Sequence, residues 1–196
     1  MNRFNFTSYL TSNVKISDEF VEQLLQNCSI KLVKKNEFLL QQGNVCMHSF
    51  FVEQGLLRQF IIDEQGKEHI IQFAPENWFV ADRSSQFFKA PAMTNIQAIE
   101  EAKLLMLDEN IINQLIEKNP AYNIYSNQLL HKHIYSLQKR IYQLLASSAK
   151  ERYLDFVKTY PDILLRVPQT MVASYLGITP ESLSRVRKEL AQEHML

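Results

Sequence analysis

A short segment near the end of the chain carries side chains that can form both charged and neutral hydrogen bonds. Six of these side chains lie within ten residues, namely Thr179, Glu181, Ser182, Ser184, Arg185 and Lys188. A carboxylate accepts from the amino group of cytosine, arginine donates to guanine, and hydroxyl or lysine groups contact phosphate oxygens. The spacing therefore predicts a surface that contacts DNA.

Two short helices joined by a tight turn must hold these side chains. Gly177 can take the left-handed conformation just past a helix end, and Thr179 and Pro180 suit the N-cap and first turn of a new helix. Apolar residues recur at spacings of three and four on both sides of the turn: Val172 and Leu176, then Leu183, Val186 and Leu190. We expect these two stripes to pack together and leave the polar side chains outside.

The alternative interpretation is an ordinary helical hairpin with a solvated charged face, which would be favoured for an arbitrary pair of helices. The turn and the polar helix start together reverse that preference. The segment also resembles the helix-turn-helix of the CRP/FNR family of bacterial transcription factors, because Glu181-Ser-Leu-Ser-Arg185 matches the E-x-x-S-R pattern of the FNR branch. The resemblance implies that Glu181, Ser184 and Arg185 contact bases, with Arg185 at a guanine. Pro180 stands where the cyclic-AMP branch has a further arginine, so we expect a different half-site.

Composition describes an ordinary globular protein. The chain has 196 residues, 46% of them apolar, with 21 basic and 21 acidic residues. A net charge of zero counts mildly against a polyanionic partner. However, Arg185, Arg187 and Lys188 concentrate positive charge locally, and such a patch attracts phosphates in a salt-dependent way.

Several functional classes lack their sequence signals. No apolar run reaches the roughly 18 residues that cross a bilayer, and Met1–Thr7 has no secretory signal pattern, so we expect a cytoplasmic protein without a membrane partner. Cys28 and Cys46 are eighteen residues apart, which favours buried small apolar residues over a disulfide or metal pair. No phosphate loop, metal-ligand set or nucleophile beside a base occurs, so we predict no enzyme and no metal site.

Residues 30–107 show short apolar or alternating runs broken by turn signals. Seven or eight strands at this spacing predict a sandwich or barrel. Gly66 marks a hairpin, and Gly55 a second backbone position with positive φ. Before these strands, the spacing of apolar residues predicts a helix over residues 16–27 with Ser17 as its cap.

A long helix follows the strands. Residues 109–118 read as one helix, Asn119-Pro120 as a break, and about 27 further residues without proline or glycine as a single helix of about 40 Å. Five apolar residues in it repeat at four, three, four and three: Leu130, Ile134, Leu137, Ile141 and Leu144. This seam favours a two-stranded coiled coil, hence a homodimer with two-fold symmetry suited to a palindromic DNA site. The alternative is that the seam packs on the chain's own β-domain.

These patterns predict an α+β fold of three parts: an antiparallel, jelly-roll-like β-roll over 1–120, a dimerisation helix over 121–147 and a helix-turn-helix domain over 148–196. The small residues 146–149 are the expected hinge, followed by a helix over 152–158. Because the chain stops at Leu196, soon after the second helix of the pair, we expect the winged-helix wing of this domain type to be truncated or absent.

The region over residues 34–68 resembles the cyclic-nucleotide-binding β-roll of the same family. The family's F-x-G-E stretch aligns with residues 78–81, which puts Val80 at the glycine and Ala81 at the glutamate. Its Arg-Ser phosphate clamp aligns with Ala92 and Met93, so cyclic AMP is not an expected ligand and no cofactor is predicted. An unknown apolar or anionic effector could instead bind among four residues, Trp78, Phe79, Arg83 and Met93, or the roll could be empty.

The leading hypothesis is a homodimeric, sequence-specific DNA-binding transcription regulator that does not depend on cyclic nucleotides. The resemblance also makes RNA polymerase a candidate partner. The alternative hypothesis, raised by the neutral charge and the missing wing, is a ligand-binding or protein-interaction module of the same fold that has lost specific DNA binding.

Overall fold

A computed structural model describes residues 5–193 and has the predicted α+β fold, with two four-stranded antiparallel sheets. Residues 1–4 and 194–196 lie outside the described residues. The predicted absences of a signal sequence at the N-terminus and of a wing at the C-terminus concern these residues. The strands are β1 Ser29–Val33, β2 Phe38–Leu40, β3 Ser49–Gln54, β4 Leu57–Ile62, β5 Glu68–Ala74, β6 Phe79–Val80, β7 Asn95–Ala98 and β8 Ala102–Leu107. The helices are α1 Asn5–Asn13, α2 Asp18–Leu25, α3 Arg83–Phe88, α4 Glu109–Lys118, α5 Pro120–Ala146, α6 Ala149–Thr159, α7 Ile163–Arg166, α8 Gln169–Leu176 and α9 Pro180–Glu193.

The strand order within each sheet confirms the predicted roll. One sheet runs β1-β8-β3-β6 and the other β2-β7-β4-β5, so every pair of neighbouring strands except β4 and β5 is distant in sequence, as in a jelly roll. The β1–β8 ladder runs from Ser29 opposite Met106 to Val33 opposite Ala102.

Alternation along the strands divides the apolar side chains between two clusters. Phe50 and Val52 of β3 belong to the core between the two sheets, whereas Phe51 belongs to a second cluster with α1, α2, α4 and the start of α5. Phe6 of α1 meets Phe51 edge-on, with ring centroids 5.1 Å apart. The first sheet is therefore covered by the second sheet on one face and by helices on the other.

The predicted caps and turns of the roll are confirmed. Helix α2 begins after Ser17, whose Oγ accepts a hydrogen bond from the backbone N–H of Phe20 at 3.3 Å. Gly55 has a φ of 96°, and a Cβ there would lie 2.5 Å from the backbone oxygen of Glu101. Only glycine fits this position without moving the backbone. Three helices of the described residues were not predicted: α1, α3 and α7.

Helix α5 is the single long helix that the sequence predicts, with 27 residues. The chain forms two compact units: one contains the chain up to Ile61 together with Ile71–His131, and the other Ile62–Ile70 together with the chain from Lys132 onward. The domain boundaries near residues 120 and 147 stay a prediction. None of the helices within residues 5–193 is long and apolar enough to span a bilayer.

Helix α6 begins three residues earlier than predicted, at Ala149 rather than residue 152. The reason is a capping box. Glu151 accepts a hydrogen bond from the Ser148 N–H at 2.7 Å, and Ser148 Oγ accepts one from the Glu151 N–H at 3.3 Å. The sequence predicts a hinge over residues 146–149. The capping box starts α6 within this range, at Ala149.

Candidate nucleic-acid interface

The turn between α8 and α9 has the predicted geometry. Gly177 ends α8 with a φ of 66°, in the left-handed region. Its N–H donates to the Ser174 carbonyl at 3.1 Å, and the Ile178 N–H donates to the Ala173 carbonyl at 3.0 Å. Together these bonds form a Schellman motif, which satisfies the last carbonyls of α8 and reverses the chain. The second helix can then start within three residues.

The start of α9 is fixed by one cap and two buried side chains. Thr179 Oγ1 accepts a hydrogen bond from the Ser182 N–H at 3.2 Å, as an N-cap residue does. Leu183 is 0% exposed and Val186 is 7% exposed, while Val172 and Leu176 of α8 are also buried. The predicted apolar stripes are therefore confirmed, and they hold the opposite face of α9 toward solvent.

The structure brings most of the predicted contact residues to that opposite face. Glu181, Ser184, Arg185 and Lys188 recur at intervals of three, one and three, which places them on one side of a helix. All four are exposed, as is Thr179, but Ser182 is half-buried next to the cap. The surface that could meet a groove is thus formed by two cations, one acid and one hydroxyl.

Glu181 is a hydrogen-bond acceptor at neutral pH. Hydrogen bonds from its own backbone N–H and from Thr179, together with the charge of Arg185, hold the pKa of this carboxyl below its usual range. An ionised carboxylate only accepts hydrogen bonds, which suits the exocyclic amino group of cytosine. At the other end of α9, Glu189 and Glu193 face Lys150 of α6 at 3.2 and 2.5 Å.

Aromatic packing fixes α6 against α8. The rings of Phe156, Tyr160 and Tyr175 lie with centroids 5.2 to 5.6 Å apart, in tilted and edge-to-face pairs. Such pairs add stability beyond their buried area and favour one geometry. They set the position of α8, and through the turn that of α9.

A second group of contacts to α8 was not predicted. Arg140 of α5 donates through Nη2 to the carbonyls of Tyr175 and Ile70, and its guanidinium carbon lies 3.8 Å from the centre of the Tyr175 ring. Ser174 Oγ donates to the Glu68 carbonyl at 2.8 Å and accepts from the Ile70 N–H at 3.1 Å. Within the second unit, these bonds join α5, α8 and the β4–β5 hairpin. No local sequence signal marks them, because the partners are 35 to 106 residues apart.

The predicted dimer seam lies on an uncovered side of α5. Its five side chains are each 40 to 54% exposed: Leu130, Ile134, Leu137, Ile141 and Leu144. Their 4-3-4-3 spacing on one continuous helix makes them successive a and d positions.

The four predicted effector residues have different surroundings. Trp78 is 37% and Met93 72% exposed, Arg83 is also exposed, and Phe79 packs on Phe51 with ring centroids 5.0 Å apart. The physical reason is the alternation of β6, which places Phe79 in the helix-facing cluster and Val80 in the core between the sheets. An effector at these residues stays a prediction.

Residues 38–41, 44–48 and 50 line a cleft of 320 Å³ elsewhere in the roll. Two of the four positions aligned with the nucleotide contacts are packed in the inter-sheet core, Val80 at 2% and Ala92 at 3% exposed, whereas Ala81 is half-buried and Met93 exposed. Neither Val80 nor Ala92 presents a carboxylate or a cation to a ligand.

Comparison with known proteins finds a family model that matches part of the chain and regulators that match most of it. Residues 30–119 match the family model of the cyclic nucleotide-binding domain. The anaerobic regulatory protein of Haemophilus influenzae is 25% identical over 167 residues, which are 80% of this chain and 64% of that protein. The cAMP-activated global transcriptional regulator CRP of Salmonella typhimurium is 20% identical over 193 residues, or 92% of this chain and 90% of that protein.

Among solved structures, FixK2 from Bradyrhizobium japonicum superposes with a TM-score of 0.73 at 14% identity, over 85% of this chain and 86% of that one. This chain thus spans less than two thirds of the Haemophilus protein but most of the other two. The chain thus contains a cyclic nucleotide-binding domain and is similar over most of its length to regulators of the CRP/FNR type.

Proposed function

We propose that this protein is a sequence-specific DNA-binding transcription regulator that acts as a homodimer and does not require a cyclic nucleotide. One observation carries the DNA-binding proposal: α9 presents Glu181, Ser184 and Arg185 on one exposed face, directly after a capped turn. The N-terminal part of the second helix is the part that reads bases in helix-turn-helix proteins. The proposed target is the major groove of a palindromic operator.

The decisive experiment compares two arginines of the same helix. Arg185 lies on the polar face with Glu181, whereas Arg187 is exposed but about 160° further around the helix axis. Operators are first selected from a random-sequence duplex library with the unaltered protein. Affinities of Arg185→Ala and Arg187→Ala are then measured for the selected operator and for versions with single base changes.

We expect Arg185→Ala to lose about 1 to 3 kcal/mol of discrimination at one base position, because a bidentate contact to guanine is removed. Arg187→Ala removes the same charge and should weaken all sequences alike, if it weakens them at all. Unchanged sequence preference in Arg185→Ala contradicts the base-reading role.

The homodimer proposal rests on the uncovered seam of α5. Ile141, at an a position, is the most exposed of the five seam residues at 54%. The neighbouring Tyr142 is 67% exposed and falls at a b position, away from the seam. Ile141→Asp should therefore shift the protein to monomers in sedimentation velocity, and Tyr142→Asp should not. Equal behaviour of the two variants contradicts a coiled-coil seam.

Independence from cyclic nucleotides is supported by the packed, apolar positions of Val80 and Ala92. A cyclic phosphate buried without a cation or matching donors costs several kcal/mol. Titration calorimetry with cyclic AMP should therefore show no saturable heat, and cyclic AMP should not change operator affinity. A micromolar dissociation constant contradicts this part of the proposal alone.

The alternative, a module of this fold that has lost DNA binding, is favoured by the zero net charge of the chain. A salt series separates the two functions. A DNA-binding protein shows a steep decrease of affinity with salt and a preference for its operator, whereas a module without DNA binding shows neither. RNA polymerase contact belongs to the first function only.

A further inference from the structure

The carboxylate of Asp82, at the start of α3, is buried and accepts an unusual number of hydrogen bonds. The residue is 6% exposed. Its Oδ1 accepts from the Ser84 hydroxyl and the Ser85 N–H, each at 3.1 Å. Its Oδ2 accepts from the Met93 N–H at 3.1 Å, the Thr94 N–H at 3.3 Å and the Thr94 hydroxyl at 2.9 Å. Because a carboxylate offers about four lone-pair sites, these donors saturate it.

The three donors on Oδ2 do not belong to the helix that Asp82 caps. They come from Met93 and Thr94, eleven and twelve residues further along the chain. The Thr94 hydroxyl is itself held by Gln59, whose Nε2 donates to Thr94 Oγ1 at 2.8 Å. Since that bond uses a lone pair of the hydroxyl oxygen, its proton is directed at Asp82. The donors are thus oriented both by Gln59 and by the first turn of α3.

All of these donors are neutral backbone N–H groups and hydroxyls, yet they converge on a full negative charge. Successive backbone N–H groups that point at one oxygen form a concave anion-binding nest. Hydrogen bonds to an ionised acceptor are about twice as strong as neutral ones, so the donors favour an anion over a neutral group. An ordinary helix cap requires only the Ser85 N–H, and the other four bonds exceed that requirement.

We propose that Met93, Thr94, Ser84 and Ser85 form an oxyanion-binding cradle whose occupant is the chain's own Asp82 carboxylate. A small free carboxylate takes its place when that side chain is cut back. The cradle is filled in every molecule, so its order does not depend on the supply of an external anion. The inference concerns the roll alone and does not rest on DNA binding.

The experiment is a chemical rescue with formate, which contains the atoms that Asp82→Ala removes beyond Cβ, with a hydrogen in place of Cβ. Thermal unfolding of the full chain is followed in sodium formate and in sodium chloride at equal ionic strength. We expect formate to raise the unfolding midpoint of Asp82→Ala by several degrees more than chloride, with a saturable dependence on concentration. The unaltered protein should respond alike to both salts.

Two further variants isolate the cradle. Asp82→Asn fills the same volume, so formate cannot enter and should have no specific effect. Asp108→Ala removes another N-cap aspartate, one that accepts a single backbone bond from the Ile111 N–H at 2.9 Å. This variant should lose its cap without any rescue, because one donor does not make a cradle.

Each outcome decides the proposal. An Asp82→Ala chain that is folded and responds equally to formate and chloride overturns it, as does equal rescue of Asp108→Ala. If Asp82→Ala is unfolded in chloride, recovery of the fold in formate supports the cradle, and failure to recover contradicts it. If the unaltered protein binds no operator but formate still rescues Asp82→Ala, the proposed function is rejected and the cradle is supported.

Discussion

The face of α9 and the cradle of Asp82 contain similar chemical groups in opposite states. On α9, a carboxylate, a hydroxyl and two cations are all exposed to solvent. Around Asp82, one carboxylate is 6% exposed and accepts five hydrogen bonds from its own chain. The first region presents its hydrogen-bonding groups to an external partner, and the second uses them within the fold.

This difference shows how one chain can hold similar polar groups either at its surface or inside the fold. Buried polar groups must be paired, so the roll without a ligand cation at Ala92 keeps a carboxylate of its own in a set of inward-pointing donors. Exposed polar groups carry no such requirement, since water satisfies them. The predictions below alter either region and the support beneath it.

The largest effect on stability is expected on the buried face of α9, because its packing holds the polar face toward solvent. Leu183 is 0% exposed, so Leu183→Ala should cost about 2 to 5 kcal/mol of unfolding free energy through lost burial and a cavity. Leu165, which is 90% exposed, provides the matched control. Urea unfolding followed by circular dichroism checks the difference, and equal effects of the two substitutions contradict the packing described for α9.

A smaller but specific effect is expected at the cradle. Asp82→Asn keeps the shape but turns an NH₂ group toward inward-pointing donors, which should cost about 1 to 3 kcal/mol. Thr94→Val, which removes one donor and leaves the carboxylate, should cost less. A destabilisation by Thr94→Val larger than that by Asp82→Asn is inconsistent with the carboxylate as the centre of the network.

The pH dependence of the Asp82→Asn effect has a defined sign. Burial opposes ionisation of Asp82, but hydrogen bonds from Ser85, Thr94, Ser84 and Met93 outweigh it and hold the pKa below its ordinary value. The folded-state pKa is thus below the unfolded one of about 3.9. Stability from the ionised group is present above that value and lost as the pH falls through the folded-state pKa. The difference between wild type and variant should be constant at neutral pH and shrink in acid.

The cap of α9 should contribute about 0.5 to 2 kcal/mol. Thr179→Ala removes the acceptor of the Ser182 N–H, whereas Thr179→Ser retains it. Both variants lose the threonine methyl, so their difference in unfolding free energy isolates the hydrogen bond. If the two variants are equally stable, the cap seen at 3.2 Å does not stabilise the helix.

The smallest effect is expected at Lys150, whose contacts with Glu193 and Glu189 raise the pKa of its ammonium group. The contribution is present below the unfolded pKa and is lost only in strong alkali. Because the Lys150 side chain is 31% exposed and both of its glutamate partners are more than half exposed, Lys150→Gln should change stability little at neutral pH and less still at high salt. A large, salt-independent loss in thermal unfolding contradicts a solvated pair.

Features with a local signal were predictable from the sequence, and features built from distant residues were not. Gly177, Thr179 and the stripe of Leu183 could be read because turn, cap and periodicity act within a few residues. The two-residue strand β6 was too short to show that Phe79 faces the helices and Val80 the core. Because this alternation could not be recognised in the sequence, Phe79 was grouped with the exposed residues Trp78, Arg83 and Met93.

The cradle could not be predicted for a different reason. Asp82 and Thr94 are joined only after α3, a six-residue helix without a periodic pattern, brings the chain back. The bonds of Arg140 to Tyr175 and Ile70 span 35 and 70 residues and have no local signal at all. Burial of polar groups is decided by the fold, so their partners appear only in three dimensions.

Strand β5 lies at the end of its sheet, and such an edge exposes backbone groups that can pair with a strand of another molecule. Ser174 occupies two of these groups, accepting from the Ile70 N–H and donating to the Glu68 carbonyl. A single hydroxyl thereby blocks part of a strand edge with a side chain that cannot propagate a sheet. Besides holding α8, it therefore leaves these two backbone groups unavailable to the strand of another molecule.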